Sequence, residues 1–333
     1  MKTKRAGILG VGAYLPEETL TNFDLEKIVE TSDEWIRERT GIKERRLAKG
    51  EKVSDLAVKA AQLALDRAGV RSDDIEAIVV ASASPEMIFP STACLVQQKL
   101  GVENNCASFD VQAACTGFNY ALVVADSLIK SDEYDRILVI GAEVFSSFLD
   151  WSDRNTCVLF GDGAGAVVMG QVQDGSGILS SYLAADGTGA DLLKIPAGGS
   201  GLPASQETLN RRLHYVKMNG REVFKWAVKA LQSSIKEVLK KADLSLSDID
   251  YFLFHQANKR IIEAATRQLG ILEEKVPLTL DHYGNVSAAS IPITLNFLYE
   301  NGQLKEGNLV LMAGFGGGFT WGSNLVKWGS VEK

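Results

Sequence analysis

Two kinds of hydrophobic pattern alternate along this chain. In AVKAAQLALDRAG (57–69) and AVKALQSSIKEVLKKA (227–242) apolar residues recur at three- and four-residue spacing, which predicts amphipathic helices with one face turned to a core. Between such segments lie short runs that read as apolar throughout: IEAIVVASAS (75–84), RILVIGAEV (136–144) and NLVLMAGFG (308–316). Runs of that kind predict strands covered by helices on both faces, and the alternation predicts an α/β fold.

The pattern occurs twice. Residues 57–82, a helix-period segment followed by an aspartate-rich turn and an apolar run, are echoed by residues 227–256. AAC (113–115) is matched by AAS (288–290), and FGDGAGAVVMG (160–170) by FGGGFTWGSNLVKWG (315–329), each read as a glycine-rich turn inside a strand pair. Three landmarks in the same order predict a duplicated α/β unit, with halves 1–172 and 173–333 and no low-complexity linker between them. The later offset is shorter, so the second half has lost residues. The two halves are expected to pack as one body, with an active site where strand ends from both meet. In this register Cys115 corresponds to Ser290, and His255 stands where the first half has Ala81.

With 333 residues and 46% hydrophobic content the chain can bury a large core. It contains no stretch near the ~18 consecutive apolar residues of a membrane span. The N-terminus reaches Gly and Pro without a long apolar run, so neither a signal peptide nor a transmembrane helix is expected, and a cytoplasmic location is. A net charge of −7 argues against general binding to nucleic acid or anionic membranes. Cys94, Cys106, Cys115 and Cys157 lack metal-ligand spacing and read as free thiols; no metal or cofactor is expected. Within this acidic chain residues 210–230 form a basic run, with Arg211, Arg212, Lys217, Arg221, Lys225 and Lys229 against the single acid Glu222. Such a run is usually a solvated helix face, but it could also dock an acidic partner.

The candidate chemistry centres on Cys115. It lies in DVQAACTGFNYAL (110–122), where an apolar run gives way to a helix start. A thiol at a helix N-terminus faces unpaired N–H groups and the positive end of the dipole, which predicts a favoured thiolate and donors for an oxyanion. His255, in FLFHQANKR (252–260), follows an apolar strand and should face a crevice; only two other histidines, His214 and His282, occur. Asn285 follows Gly284 in DHYGNVSAAS (281–290), just before a helix. A thiolate to accept an acyl group and two donors for a second oxyanion would satisfy one acyl-transfer chemistry.

The runs TSDEWIRERTGIKERR (31–46), FPSTACLVQ (89–97), DVQAACTGF, FGDGAGAVV, MNGREVFKWAV (218–228), HQANKRII (255–262), YGNVSAASIP (283–292) and GFGGGFTWGS (314–323) resemble, in order and over nearly the whole chain, the β-ketoacyl-acyl carrier protein synthase III family of thiolase-like condensing enzymes. The resemblance implies a layered αβαβα fold built from two duplicated halves. It implies that Cys115 takes an acyl group from acyl-CoA, with the N–H groups of Cys115 and Gly317 as oxyanion hole. His255 and Asn285 would hold the enolate formed when malonyl-acyl carrier protein loses carbon dioxide. Thr31, Trp35, Arg39, Arg154, Gly220 and Asn258 match CoA-binding positions, with an adenine sandwiched between Trp35 and Arg154. Phe89, Phe145 and Val216 match acyl-pocket positions, Phe89 reaching across a homodimer interface; the bulk of Phe145 suggests a short primer such as acetyl, whereas Val216 would leave room for a longer one. Lys225 and Arg260 would dock acyl carrier protein. Val286 departs from the Thr common in relatives, a change that keeps a β-branched shape. CoA-dependent enzymes making polyketides, quinolones or alkyl ketones are the alternative within the fold. A papain-like hydrolase also orders Cys, His and Asn, but lacks this duplication and carries a different sequence around its cysteine.

Overall fold

A computed structural model describes residues 5–172 and 175–329. The first sheet is built from β1 (Arg5–Tyr14), β2 (Ala77–Ala81), β3 (Ala107–Val111), β4 (Arg136–Val144) and β5 (Asp162–Val172), in spatial order β1-β5-β4-β2-β3. β2 runs parallel to β3 and β4, while β5 is antiparallel to β1 and β4. The second sheet contains β6 (Gly177–Ala185), β7 (Tyr251–Phe254), β8 (Leu309–Gly316) and β9 (Thr320–Lys327), in order β7-β8-β9-β6. Its pairings repeat those of β2, β4, β5 and β1 in the first sheet. Among the described residues the second half forms no strand equivalent to β3.

The main helices are α1 (Asp33–Thr40), α2 (Val53–Ala68), α3 (Thr92–Leu100), α4 (Gly117–Lys130), α5 (Gly220–Ala242), α6 (Lys259–Leu269) and α7 (Ser290–Glu300). Their stops follow from sequence: Gly41, Gly69, Gly101 and Gly270 take left-handed conformations after α1, α2, α3 and α6. α4 and α7 lie between the sheets, where Phe118, Leu122, Ile291 and Leu295 pack against Val79, Val139 and Val167 of one sheet and Leu253, Val310 and Met312 of the other. The outer face of the first sheet is covered by α2 and α3, and that of the second by α5 and α6. The layers are therefore α, β, α, β and α, the arrangement implied by the resemblance.

Two glycines set how closely the halves approach. A Cβ on Gly141 of β4 would lie 2.5 Å from the Ala288 carbonyl oxygen, and one on Gly316 of β8 would lie 2.6 Å from the Cys115 nitrogen. Each strand end thus presses on the turn that enters the other half's central helix.

The glycine-rich segments differ from the expectation. Residues 317–319 form a tight turn between β8 and β9, whereas Gly161 ends a long connection, 145–161, between β4 and β5. That connection is what the second half lacks, and its absence accounts for most of the shorter offset.

Candidate active site

Cys115 lies in a short 3-10 turn, Ala114–Thr116, between β3 and α4, and is 7% exposed. Ala114 is held at φ +46°, a left-handed conformation that costs a non-glycine residue about 1–3 kcal/mol. The turn is anchored by the Ala114 N–H to Gln112 Oε1 at 2.9 Å and by Thr320 Oγ1 to the Ala113 carbonyl at 2.9 Å. The matching turn, Ser287–Ala289 before α7, begins with Ser287 at φ +43°. Aligned on these dihedrals and on the helix starts Gly117 and Ser290, Cys115 corresponds to Ala288, and Ser290 to Gly117. The pairing of Cys115 with Ser290 read from AAC and AAS is therefore two residues out of register.

The expected thiolate is also corrected. Burial pushes the Cys115 thiol up to about 12, with the nearby Glu143 carboxylate adding to the rise, while the Ser287 hydroxyl, 3.3 Å from Sγ, opposes it. A helix N-terminus contributes ~2 kcal/mol at most, which offsets only part of that rise. On this balance Cys115 rests as a neutral thiol.

His255 follows β7 and is 1% exposed. Burial pushes its imidazole down to about 3, so the ring is neutral at physiological pH. Nδ1 lies 2.8 Å from Ser290 Oγ, and this hydroxyl is also 2.9 Å from the Ser287 carbonyl and accepts the Gln256 N–H at 3.2 Å. When the Ser290 hydrogen is given to Nδ1, the ring proton sits on Nε2, the tautomer able to donate to a carbonyl oxygen. Asn285 is 5% exposed, and its Oδ1 accepts the Ser287 N–H at 2.9 Å, so the amide NH₂ is the end left to donate. Its backbone is fixed by the Asn285 N–H to Leu159 carbonyl bond at 2.8 Å and the Gly161 N–H to Asn285 carbonyl bond at 3.1 Å. Beneath these loops the fully buried Arg45 guanidinium donates to the Val158 carbonyl at 2.8 Å and to Asn22 Oδ1 at 3.0 Å. The motif TGIKERR thus supports the Asn285 loop from below.

Cys115 sits where two cavities meet. One, of about 640 Å³, is bordered by Cys115, His255 and Asn285 and extends past Gly220 and Asn258 to Trp35 and Arg39. The other, of about 410 Å³, is bordered by Cys115, Phe145, Val216 and Gly317. Phe145 stacks on Phe160 with ring centres 4.8 Å apart, which forms an aromatic wall.

The remaining predicted positions fall into place unevenly. Arg154 lies over the Trp35 ring, its Cζ 5.1 Å from the ring centre, and donates to the Glu30 carbonyl at 3.1 Å. A base inserted between them needs about 7 Å, two van der Waals layers, so the pair is closed on itself and must part to admit a ring. Thr31 borders neither cavity, and its buried Oγ1 has no partner among the described residues. Asn258 caps α6 and donates to the Arg39 carbonyl at 2.9 Å. Phe89 is 81% exposed and borders neither cavity of its own chain. The basic run is largely paired: Arg212 and Lys217 face Asp150, Arg211 faces Glu207 and Lys225 faces Glu222. Arg260 lies over the Phe224 ring, which borders the larger cavity.

Sequence reasoning missed Glu143, Ser287 and Ser290 as a set. Glu143 is fully buried at the end of β4, in a run read as apolar throughout. A single acid in such a strand is the signal that could have found it, because an unpaired buried carboxylate is costly. It accepts the Ala83 N–H at 3.1 Å, Ser84 Oγ at 2.6 Å and the Ala288 N–H at 3.3 Å, and the Ser287 hydroxyl beside it lowers its proton affinity.

Comparison with known proteins agrees with this geometry. The family described as 3-Oxoacyl-[acyl-carrier-protein (ACP)] synthase III matches residues 109–187, which include Cys115, and its C-terminal counterpart matches 239–328, which include His255, Asn285 and Gly317. A β-ketoacyl-[acyl-carrier-protein] synthase III of Caldanaerobacter subterraneus is 53% identical, covering 97% of this chain and 98% of its own. One from Clostridioides difficile is 52% identical, covering 98% of this chain and 99% of its own. The crystal structure of 3-oxoacyl-[acyl-carrier-protein] synthase III from Aquifex aeolicus superposes with a TM-score of 0.90 at 47% identity, covering 97% of this chain and all of that one. With about half its residues identical to those of such relatives over nearly their full length, and the same fold as the solved Aquifex structure, the chain belongs to the β-ketoacyl-[acyl-carrier-protein] synthase III family.

Proposed function

We propose that this chain carries out the initiating condensation of type II fatty acid synthesis: an acyl-CoA, acetyl-CoA first among them, and malonyl-acyl carrier protein give 3-ketoacyl-acyl carrier protein, CoA and carbon dioxide. The observation that carries the reading is the convergence of Cys115, His255 and Asn285 on the junction of two cavities. The larger one offers a path for a pantetheine arm, and the smaller one, beyond the thiol, a place for the acyl chain.

Cys115 Sγ attacks the thioester carbonyl, with its own N–H and that of Gly317 as oxyanion donors, and CoA leaves. The malonyl arm then enters by the same cavity. His255 Nε2–H and the Asn285 amide donate to its thioester oxygen, and the enolate formed by loss of carbon dioxide attacks the acyl-Cys115 carbonyl. Both donors are uncharged, so the enolate charge is held by hydrogen bonds alone; no metal or cofactor enters this scheme. Lys225 and Arg260, flanking Phe224 near the cavity mouth, are assigned to carrier-protein docking, with Lys225 released from Glu222 when an acidic helix arrives. Phe89 is assigned to a second copy's acyl pocket in a homodimer, which its exposure supports. Among the described residues no helix is long and apolar enough to cross a membrane, and the cytoplasm is the assigned location. The synthase III names of relatives sharing about half their residues support this reading over polyketide, quinolone or alkyl-ketone synthesis.

Intact mass spectrometry after incubation with acetyl-CoA, then with malonyl-acyl carrier protein, tests it. An acetyl group on Cys115 that disappears as acetoacetyl-carrier product forms is expected. Cys115→Ala should prevent the adduct, and Asn285→Ala should retain the adduct but fail to decarboxylate the malonyl thioester. An Asn285→Ala enzyme that condenses normally would remove Asn285 from the enolate site.

A further inference from the structure

The resting thiol poses a question that the scheme above leaves open: where its proton goes. His255 is a poor acceptor, since burial holds it at about 3. Glu143, raised by burial to about 7 although the Ser84 and Ser287 hydroxyls oppose the rise, is the stronger base by roughly ten-thousand-fold. Neither cavity is bordered by Glu143, and Ser287 stands between it and Cys115: its hydroxyl is 3.3 Å from Sγ, and the N–H of the next residue, Ala288, is 3.3 Å from the carboxylate. The groups packed against the carboxylate are Ser82, Ala83 and Ser84 after β2, Ser287 and Ala288 before α7, and Cys115 before α4. Of these only Cys115 titrates. The four donors at the carboxylate, Ala83 N–H, Ala288 N–H and the hydroxyls of Ser82 and Ser84, match the roughly four acceptor sites of a carboxylate, and the Ser287 hydroxyl beside them is turned to Sγ.

Resting on the acyl-transfer reading, we propose that Glu143 takes up the Cys115 proton through the Ser287 hydroxyl as the thiol attacks an acyl thioester, holds it while the acyl-enzyme lasts, and returns it when the cysteine thiolate is expelled. The S–H proton passes to Ser287 Oγ as the Ser287 hydrogen passes to the Glu143 carboxylate. The sulfur lone pair forms the new S–C bond, the carbonyl re-forms, and the C–S bond to CoA breaks; the CoA thiolate takes its proton from water. In the second half-reaction carbon dioxide leaves and its bonding pair forms the enolate. The enolate forms the new C–C bond, the C–S bond to Cys115 breaks, and the thiolate regains the Glu143 proton by the reverse path. Glu143 ends each cycle ionised. In the loaded state the Ser287 hydroxyl points at Sγ, so the same group that carries the proton also stabilises the thiolate.

Single-turnover acetylation by acetyl-CoA, followed by quenched intact mass between pH 6 and 9 (about three units around the Glu143 transition), tests the relay, with alkylation of Cys115 by iodoacetamide measured alongside. In the wild type both rates are expected to rise with pH and level off above about 7, where Glu143 is ionised. Glu143→Gln and Ser287→Ala are each expected to slow both reactions at least about tenfold, the usual contribution of a positioned base being ~100-fold or more. They should also abolish the plateau, leaving a rate that climbs with hydroxide. The double variant should be no slower than either single one. Wild-type-like rates and profiles in both variants would overturn the relay, as would two losses that multiply. If Glu143→Gln does not fold, Ser287→Ala decides, because it keeps the carboxylate and places alanine at a dihedral that Ala114 already adopts. If no acyl-CoA modifies the wild type, the acyl-transfer reading fails, whereas the alkylation profiles still report whether Glu143 and Cys115 are coupled.

Discussion

The burial of Glu143 can be tested on folding stability alone, without any substrate. Its carboxyl titrates near 7 in the folded chain against 4.5 in water. Between those values the folded state binds a proton that the unfolded state does not, so this group's contribution to stability rises as pH falls. The slope is about 1.4 kcal/mol per pH unit, or about 3 kcal/mol between pH 7.5 and 4.5. His255 acts in the opposite sense: buried at about 3 against 6.5 in water, it stays neutral while the unfolded ring charges, and stability falls as pH drops below 6.5. From 6.5 to 4.5 the two slopes cancel in the wild type. Glu143→Gln removes one of them and uncovers the other. Urea unfolding of wild type and variant, at fixed protein concentration so that any association is held constant, should show the stability gap widening by about 3 kcal/mol from pH 7.5 to pH 4.5. A gap unchanged across that range would mean that Glu143 is ionised throughout in the folded protein, and the base assigned to the relay would be far weaker than argued.

Ser290→Ala should slow malonyl decarboxylation more than acetylation of Cys115, because it removes the hydroxyl hydrogen-bonded to His255 Nδ1; losing one buried hydrogen bond of about 1–3 kcal/mol corresponds to roughly five- to 150-fold. Equal losses in the two half-reactions would reduce Ser290 to packing, and restoration by Ser290→Thr would support the hydroxyl's role. Lys225→Glu combined with Arg260→Glu should raise KM for malonyl-acyl carrier protein while leaving acetylation by acetyl-CoA unchanged. A parallel loss of both half-reactions would show that these side chains serve the cavity rather than a docking surface.

The three side chains that meet in the larger cavity were legible in the sequence because each sits at a position with a local signature: a helix start for Cys115, a strand end for His255, and a Gly-Asn turn for Asn285. What it concealed has physical reasons. The register of the duplication was misread because matching alanines outweighed backbone geometry; the true markers, Ala114 and Ser287, share positive φ without either being glycine. Glu143 was hidden by the hydrophobicity of its strand neighbours. The pairing of the basic run is hidden in the sequence because the partner of Arg212 and Lys217 is Asp150, far away along the chain, and the partner of Arg211, Glu207, precedes the run. The closed Trp35–Arg154 pair likewise depends on a contact between distant segments.

Ser287 shows why such details belong to one design. Its N–H donates to Asn285 Oδ1, its carbonyl lies 2.9 Å from the Ser290 hydroxyl that faces His255, and its own hydroxyl lies 3.3 Å from Cys115 Sγ on the side of Glu143. A residue in the middle of a helix or strand cannot aim its N–H, carbonyl and side chain at separate functional groups, because the ladder occupies the first two. The left-handed dihedral frees both, at a cost of about 1–3 kcal/mol that the surrounding bonds must offset. Gly141 of β4 then lets the turn come close enough for Ala288, in the place that corresponds to Cys115, to donate its N–H to Glu143. The turn that corresponds to the Cys115 turn thus has Ala288 in the place of the thiol and the same strained backbone, and that backbone gathers Glu143, Cys115, His255 and Asn285 around Ser287.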